Sequence, residues 1–183
     1  MSESKSDSDI IQEIRNGEIQ SFAEIIKKYQ NKVLNLCHSI VGESHAEDAA
    51  QEIFIKAYQS LPNLKISSFF STWLYRIAYN HCLNILSKQK INNTVSLDAL
   101  DQEIEGIDPT FPSKLETEEA KELIQKALEL LPPEARMILT LREMEGLSYK
   151  ELALLLEIPV ETIKVRLFRA RKSLILAFKK IGL

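Results

Sequence analysis

The residues with the most chemical potential lie near the C-terminus. Lys164, Arg166, Arg169, Arg171 and Lys172 are closely spaced cations, with Val165 and Phe168 among them. Cations at this density suit neutralisation of phosphates. At about 100° per residue, Val165, Phe168, Arg169 and Lys172 share one side of a helix, with Lys164, Arg166 and Arg171 on its shoulders. Val160, Ile163, Leu167, Ala170, Leu174, Phe178 and Ile181 fall on the opposite, inward side. Phe168 is the informative residue, because a solvated basic face has no use for a phenyl ring. A helix lying in a duplex major groove does: the ring meets a thymine methyl while an arginine reads a guanine edge. The bland alternative is that Phe168 covers a neighbouring helix.

Two more helical stripes stand out upstream. Asp48, Gln51, Glu52, Ile55 and Gln59 recur opposite an apolar side of Ala46, Ala49, Ala50, Ile53, Ala57 and Leu61. Most acidic stripes are merely solvated, but an isoleucine in the middle of one suggests a docking face with a polar rim. Farther on, Trp73, Arg76, Asn80 and Asn84 align within a stretch that also holds Phe69, Phe70, Tyr75 and Tyr79. Aromatic residues at helical spacing are usually core, and Trp73 and Phe70 are expected to be mainly structural. Aromatic, amide and basic groups together near a loop also suit unstacked single-stranded bases.

Cys37-His38 and His81-Cys82 bring four soft donors into the chain. Adjacent helical residues point about 100° apart, so neither pair makes the usual chelating turn of a zinc site. Two buried thiols and two helix histidines are the simpler reading, and no metal or other cofactor is expected. The chain has no phosphate-binding glycine loop and no nucleophile–base pair, so it is not expected to be an enzyme or to take a small-molecule substrate.

The net charge of −3 hides a strong polarity. Between Leu61 and Lys90 the charged residues are Lys65, Arg76, Lys88 and Lys90, with no acid. Nine acids lie between Asp98 and Glu122, against Lys114 and Lys121. From Val160 onward there are seven bases against Glu161. Two basic zones flank an acidic one, which suggests two phosphate-facing surfaces and a spacer that avoids them. No apolar run approaches the roughly 18 residues needed to cross a bilayer, and the acidic start MSESKSDSD lacks the form of a signal peptide. A cytoplasmic location is expected.

The elements that must position these stripes are all helical. Apolar residues recur at helical spacing nearly throughout. Ser44 to Glu47, Ser113 to Glu116 and Ser148 to Glu151 have the spacing of capping boxes. Gly42 and Gly146 sit where helices should close, and Pro62 ends the helix that begins near Ser44. The aromatic helix is predicted from about Phe69 to Ser87. Residues 91–112, with Asn92, Asn93, Gly106, Pro109 and Pro112 among acids, read as an exposed linker. The expected fold is all-α: two small helical domains, 1–90 and 113–183, joined by a flexible acidic linker at 91–112. In the second, a helix from Pro133 to Glu145, one from Ser148 to Leu156, a turn at Glu157-Ile158-Pro159 and a long basic helix make a helix-turn-helix.

Three segments in this order resemble the bacterial sigma-70 superfamily, in its small extracytoplasmic-function (ECF) group. They are AEDAAQEIFIKAY (Ala46 to Tyr58), FSTWLYRIAYNHCLNIL (Phe70 to Leu86) and LPPEARMILTLREMEGLSYKELALLLEIPVETIKVRLFRARKSL (Leu131 to Leu174). The resemblance covers nearly the whole chain, and the combination is far more specific than a lone helix-turn-helix. It implies an N-terminal domain like sigma region 2, which binds core RNA polymerase and captures the opened minus-10 element. It implies a C-terminal domain like region 4, which reads the minus-35 element. Asp48, Gln51 and Glu52 match positions that grip the β′ clamp helices, and the helical wheel adds Ile55. Asn80 matches a position that helps hold a flipped base; Trp73, Arg76 and Asn84 share its stripe. Lys164, Val165, Phe168 and Arg169 match base-facing positions, and Thr162, Arg166 and Arg171 match backbone-contacting or supporting ones.

The resemblance also implies partners: core polymerase through the β′ clamp helices and the β flap, promoter DNA as duplex and as single strand, and an anti-sigma factor. The function it implies is to direct core polymerase to specific promoters and to assist their opening. One loop departs from the pattern. Where relatives read Phe-Arg-Gly-acidic-Ser, this chain has Leu64, Lys65, Ile66, Ser67 and Ser68. A β-branched residue does not cheaply adopt glycine's positive-φ conformations, so the resemblance does not extend to this loop's shape, although Lys65 suits a phosphate. A polymerase-independent helix-turn-helix repressor or activator would account for the C-terminal stripe but for neither of the other two.

Overall fold

A computed structural model describes residues 5–64, 69–90 and 118–182. Among these the secondary structure is helical, without strands. Lys65, the acidic linker at 91–112 and the Ser113 to Glu116 capping pattern lie outside the described residues.

The N-terminal unit contains α1 (Asp7–Arg15), α2 (Phe22–Val41), α3 (Glu43–Ser60) and α4 (Phe70–Lys90). Helix α1 begins with a capping box: the Ser6 hydroxyl accepts the Asp9 N–H, and the Asp9 carboxylate accepts the Ser6 N–H. The turn between α2 and α3 consists of Gly42 alone, at φ 80°, a conformation that glycine tolerates and L side chains resist. This corrects the expected Ser44 cap. Because Gly42 closes α2 and opens α3, Ser44 already lies inside the first turn, and α3 has no side-chain cap. Alanines 46, 49, 50 and 57 are buried on α3 with Ile53 and Phe54, and small side chains let α2 and α3 approach closely. Pro62 falls in a 3₁₀ turn, Leu61–Asn63, just after α3. Helix α4 runs longer than the sequence pattern predicts, to Lys90.

The C-terminal unit contains α5 (Glu118–Glu129), α6 (Pro133–Leu139), α7 (Tyr149–Leu156) and α8 (Val160–Lys180). The predicted helix from Pro133 to Glu145 is interrupted. From Thr140 to Met144 it widens to a π-helical turn in which the Glu145 N–H reaches the Thr140 carbonyl. Gly146, at φ 73°, then reverses the chain. Helix α7 has the predicted cap: the Ser148 hydroxyl accepts the Glu151 N–H at 3.2 Å, and the Ser148 N–H donates to the Glu151 carboxylate at 2.7 Å.

The two units pack together. Helix α2 lies against α6, and α4 against α7. Glu145, only 5% exposed, accepts a hydrogen bond from the Tyr75 hydroxyl at 3.0 Å and lies 3.6 Å from Lys32 Nζ. The Arg136 guanidinium donates to the Ser39 carbonyl at 3.3 Å. Arg76 meets Glu157 at 2.5 Å. Burial and the neighbouring Glu145 carboxylate raise the Tyr75 phenol above its ordinary pKa, so the hydroxyl remains a donor across this interface.

Candidate functional site

Helix α8 is held by its inward stripe. Ile163, Leu167, Ala170, Leu174 and Ala177 are buried, and Val160, Phe178 and Ile181 are partly so. The packing of α5, α6 and α7 against it leaves the opposite side free. There Lys164, Val165, Arg166, Phe168 and Arg169 are exposed. Phe168 is 47% exposed, so it does not serve as a cover over a neighbouring helix. Lys172 lies over its ring, with Nζ 4.8 Å from the centroid. This cation–π contact orients the ring on the surface.

Sequence spacing places Arg171 with the other cations, but packing separates it. Its Nε and Nη2 both donate to one Glu143 carboxylate oxygen, at 3.0 and 2.5 Å, and its side chain is mostly covered. Arg171 therefore braces α8 against the π-helical turn. Thr162 is half-buried near the start of α8. Arg166 stands 3.8 Å from Glu134, and Lys164 pairs with Glu161 at 3.1 Å. Both are exposed pairs of little energetic weight, open to exchange for phosphate.

Between α7 and α8 the turn depends on Glu157, in a left-handed conformation at φ 55°. Pro159 precedes the first residue of α8. The pre-set proline φ and the capped start of α7 fix the angle at which α8 is presented. Tyr149 packs under the Arg142 guanidinium, 4.8 Å from ring centroid to Cζ.

On α3 the four predicted docking residues, Asp48, Gln51, Glu52 and Ile55, are all exposed, and Gln59 extends their stripe. Ile55 is 56% exposed among polar neighbours. Glu52 does not stand alone. His81, from α4, brings Nε2 to 3.4 Å from one of its carboxylate oxygens, and Lys56 brings Nζ to 3.9 Å from the same oxygen. The sequence reading missed this cluster; the i,i+4 spacing of Glu52 and Lys56 was visible, but the approach of His81 from another helix was not.

On α4, Arg76, Asn80 and Asn84 are exposed along one line, and Trp73 is half-buried. Phe70 is fully buried, with its ring 5.6 Å from those of Trp73 and Tyr29, so Phe70 is structural as expected and Trp73 packs against the core while remaining partly exposed. Arg15, at the end of α1, donates to the carbonyl of Leu64 and so ties the N-terminal helix to the chain just before Lys65. Sequence alone gave no sign of this tie.

Cys37 and Cys82 are buried free thiols in contact at 3.8 Å between α2 and α4. The neighbouring Cys82 sulfur, with burial, raises the Cys37 pKa, which favours the neutral thiol. No cluster of three metal-ligating groups occurs among the described residues, and none of the described helices is long and apolar enough to cross a membrane.

These surfaces fit what the chain resembles. The family model "Sigma-70 region 2" matches residues 25–91, and "Sigma-70, region 4" matches residues 121–174. The chain is 35% identical over 181 residues to the ECF RNA polymerase sigma-E factor of Escherichia coli K12, covering 95% of each. Its fold is similar to that of CnrH in complex with the cytosolic domain of CnrY, with a TM-score of 0.66 and 17% identity, covering 96% of this chain and 99% of that one. It is equally similar, at a TM-score of 0.66 and 23% identity, to the sigma factor RpoE of Bartonella quintana in complex with the anti-sigma factor NepR, covering 87% and 98%. The two matched regions, the helix-turn-helix with its outward basic face and the identity along almost the full length lead to one assignment: the chain belongs to the ECF sigma factors of the sigma-70 family.

Proposed function

We propose that this protein directs core RNA polymerase to a set of promoters and assists their opening, through three surfaces with separate tasks. Asp48, Gln51, Glu52 and Ile55 dock on the β′ clamp helices. Trp73, Arg76, Asn80 and Asn84, with Lys65, hold the unpaired minus-10 strand. Lys164, Val165, Phe168 and Arg169 read the minus-35 duplex, with Thr162, Arg166 and Lys172 on or near its phosphates and Arg171 as a brace. The C-terminal unit also meets the β flap. The domain division at 1–90, 91–112 and 113–183 follows these tasks.

The observation that carries this reading is the apolar residue exposed on two polar helix faces. Ile55 stands in the acidic stripe, and Phe168, with Val165, in the basic one. Solvated faces gain nothing from such residues, whereas desolvated interface centres and groove contacts do. The protein acts without a catalytic centre or cofactor of its own: unpaired bases find partners on α4 that the duplex form lacks, so binding shifts the equilibrium toward the open strand. Its place of action is the cytoplasm, and its activity is held in check by an anti-sigma protein.

Reconstitution with bacterial core polymerase, followed by transcription from genomic fragments, tests the whole reading. A stable complex and promoter-dependent transcripts are expected; absence of both overturns it. Glu52→Lys should weaken core binding while leaving the helical circular dichroism unchanged, because its side chain is largely solvent-facing. Undiminished core affinity in this variant would remove Glu52 from the interface.

A further inference from the structure

We propose that His81 is a positioning residue for polymerase docking: with Lys56 it holds the Glu52 carboxylate in the orientation from which Glu52 meets the polymerase. This rests on reading the α3 stripe as the docking face.

His81 belongs to α4, yet its ring reaches toward the α3 stripe. Its side chain is 7% exposed. Nδ1 lies within hydrogen-bond reach of Lys56 Nζ. An ammonium can only donate, so Nδ1 accepts, and the proton of the neutral ring resides on Nε2. Burial and the Lys56 charge both lower the imidazole pKa and favour that neutral form. Nε2 is buried and has no well-aligned hydrogen-bond partner among the described residues. The acidic group it faces is Glu52, with Oε2 at 3.4 Å. Lys56 approaches the same Oε2 at 3.9 Å. Two donors thus converge on one oxygen of an otherwise solvent-facing carboxylate.

The arrangement has a physical use. A free surface glutamate loses rotamer freedom when an interface fixes it, and a carboxylate already biased toward a buried donor loses less. A buried N–H without a good acceptor is costly in turn, so the ring favours those Glu52 rotamers that bring Oε2 within reach. Lys56 selects the tautomer, His81 supplies the buried donor, and Glu52 presents its carboxylate at the surface.

A double-substitution cycle on the full-length protein tests this, with affinity for core polymerase measured by fluorescence anisotropy. E52Q should weaken core binding by about tenfold, within the range of truncated interface anchors. H81N keeps an acceptor near the Nδ1 position but lacks a donor at the Nε2 position; it should weaken binding by roughly three- to fivefold, and have no further effect in the E52Q background. H81Q, whose amide nitrogen mimics Nε2, should remain within about twofold of the unsubstituted chain. Melting curves and minus-35 duplex binding should be the same for all. If H81N destabilises the chain, K56Q provides the same comparison from an exposed position, again with an effect only while Glu52 is intact. Equal losses with and without the Glu52 carboxylate, or no loss in H81N and K56Q, would overturn the positioning role and leave the docking stripe standing. An unchanged affinity in E52Q would overturn the docking role of Glu52 itself, and the positioning role with it.

Discussion

Arg169 and Arg171 are two residues apart and differ in what they touch. Arg169 is exposed beside Phe168, whereas Arg171 is bound to Glu143. Arg169→Ala should cost roughly 1–3 kcal/mol of discrimination at one or two minus-35 positions, seen in binding-site selection with purified protein or holoenzyme, with little change in stability. Arg171→Ala should do the reverse: a loss of about 1–3 kcal/mol in chemical denaturation, because a mostly covered charge-assisted contact is removed and Glu143 is left without it, with base preference retained. A shifted base preference in the Arg171 variant would return it to the reading face. His81 belongs to the same scale. Its folded pKa lies below its ordinary value, so the neutral ring is favoured in the native state. Above the ordinary value, about 6.5, both states are neutral and nothing is lost; as pH falls below it, the unfolded chain takes the proton first and stability declines until the folded value is passed. Denaturation midpoints near pH ~7.5 and ~5.5 should differ less in His81→Gln than in the unsubstituted chain. Equal differences would show that the ring contributes nothing to the acid sensitivity.

At the scale of elements, the helix proposed to read the duplex is only as well aimed as its neighbours. Helix α7 is short and begins at the Ser148 cap, and its last residue leads into the Glu157 turn that launches α8. Ser148→Ala should lower stability by about 1 kcal/mol and weaken duplex binding at the minus-35 element without changing which bases are preferred. A change in preference rather than affinity would contradict a purely supporting role for the cap. The helices themselves were legible in the chain because their ends carry local signals: Gly42, Pro62, Gly146 and Ser148 all punctuate as expected. Where two signals competed, the backbone preference of a single glycine prevailed over a side-chain spacing. Ser44 has the spacing of a cap, but the one-residue corner at Gly42 starts α3 earlier. The π-helical turn at Thr140–Met144 has no comparable sequence signal. It brings Glu143 to Arg171 and Glu145 to Tyr75, contacts that depend on helices distant in sequence.

At the scale of the whole molecule, if α4 and α8 take the minus-10 and minus-35 roles proposed for them, the packed arrangement is incompatible with engaging both elements at once. As their names imply, the minus-35 and minus-10 elements lie roughly 25 base pairs apart, about 85 Å of duplex at ~3.4 Å per base pair. Helices α4 and α7 are in direct contact, and Arg76 is paired to Glu157. Residues 91–117, if fully extended, would reach on the order of 90 Å, enough for the units to part. Dyes placed on α3 and α8 should therefore report a short distance in the free protein and a much longer one in holoenzyme on promoter DNA. Tyr75→Phe should reduce the closed population of the free protein, since Glu145 would remain buried with the Tyr75 hydrogen bond lost and Lys32 3.6 Å away. An equally short distance in the promoter complex would refute the need to open.

What this chain determined by itself were the properties written in local spacing: an all-helical fold, the positions of most helix ends, the three stripes and the outward direction of Ile55 and Phe168. Those follow from the fixed turn of a helix and from residues with strong backbone preferences, so neighbours in sequence suffice to read them. The tertiary structure alone decided which charges are free and which are bound. Arg171, His81, Arg76 and Glu145 look alike in sequence to other polar residues on their helices, and their partners come from helices far away in the chain. Contacts of that kind depend on how faces meet in three dimensions, and a single sequence carries no local mark of them.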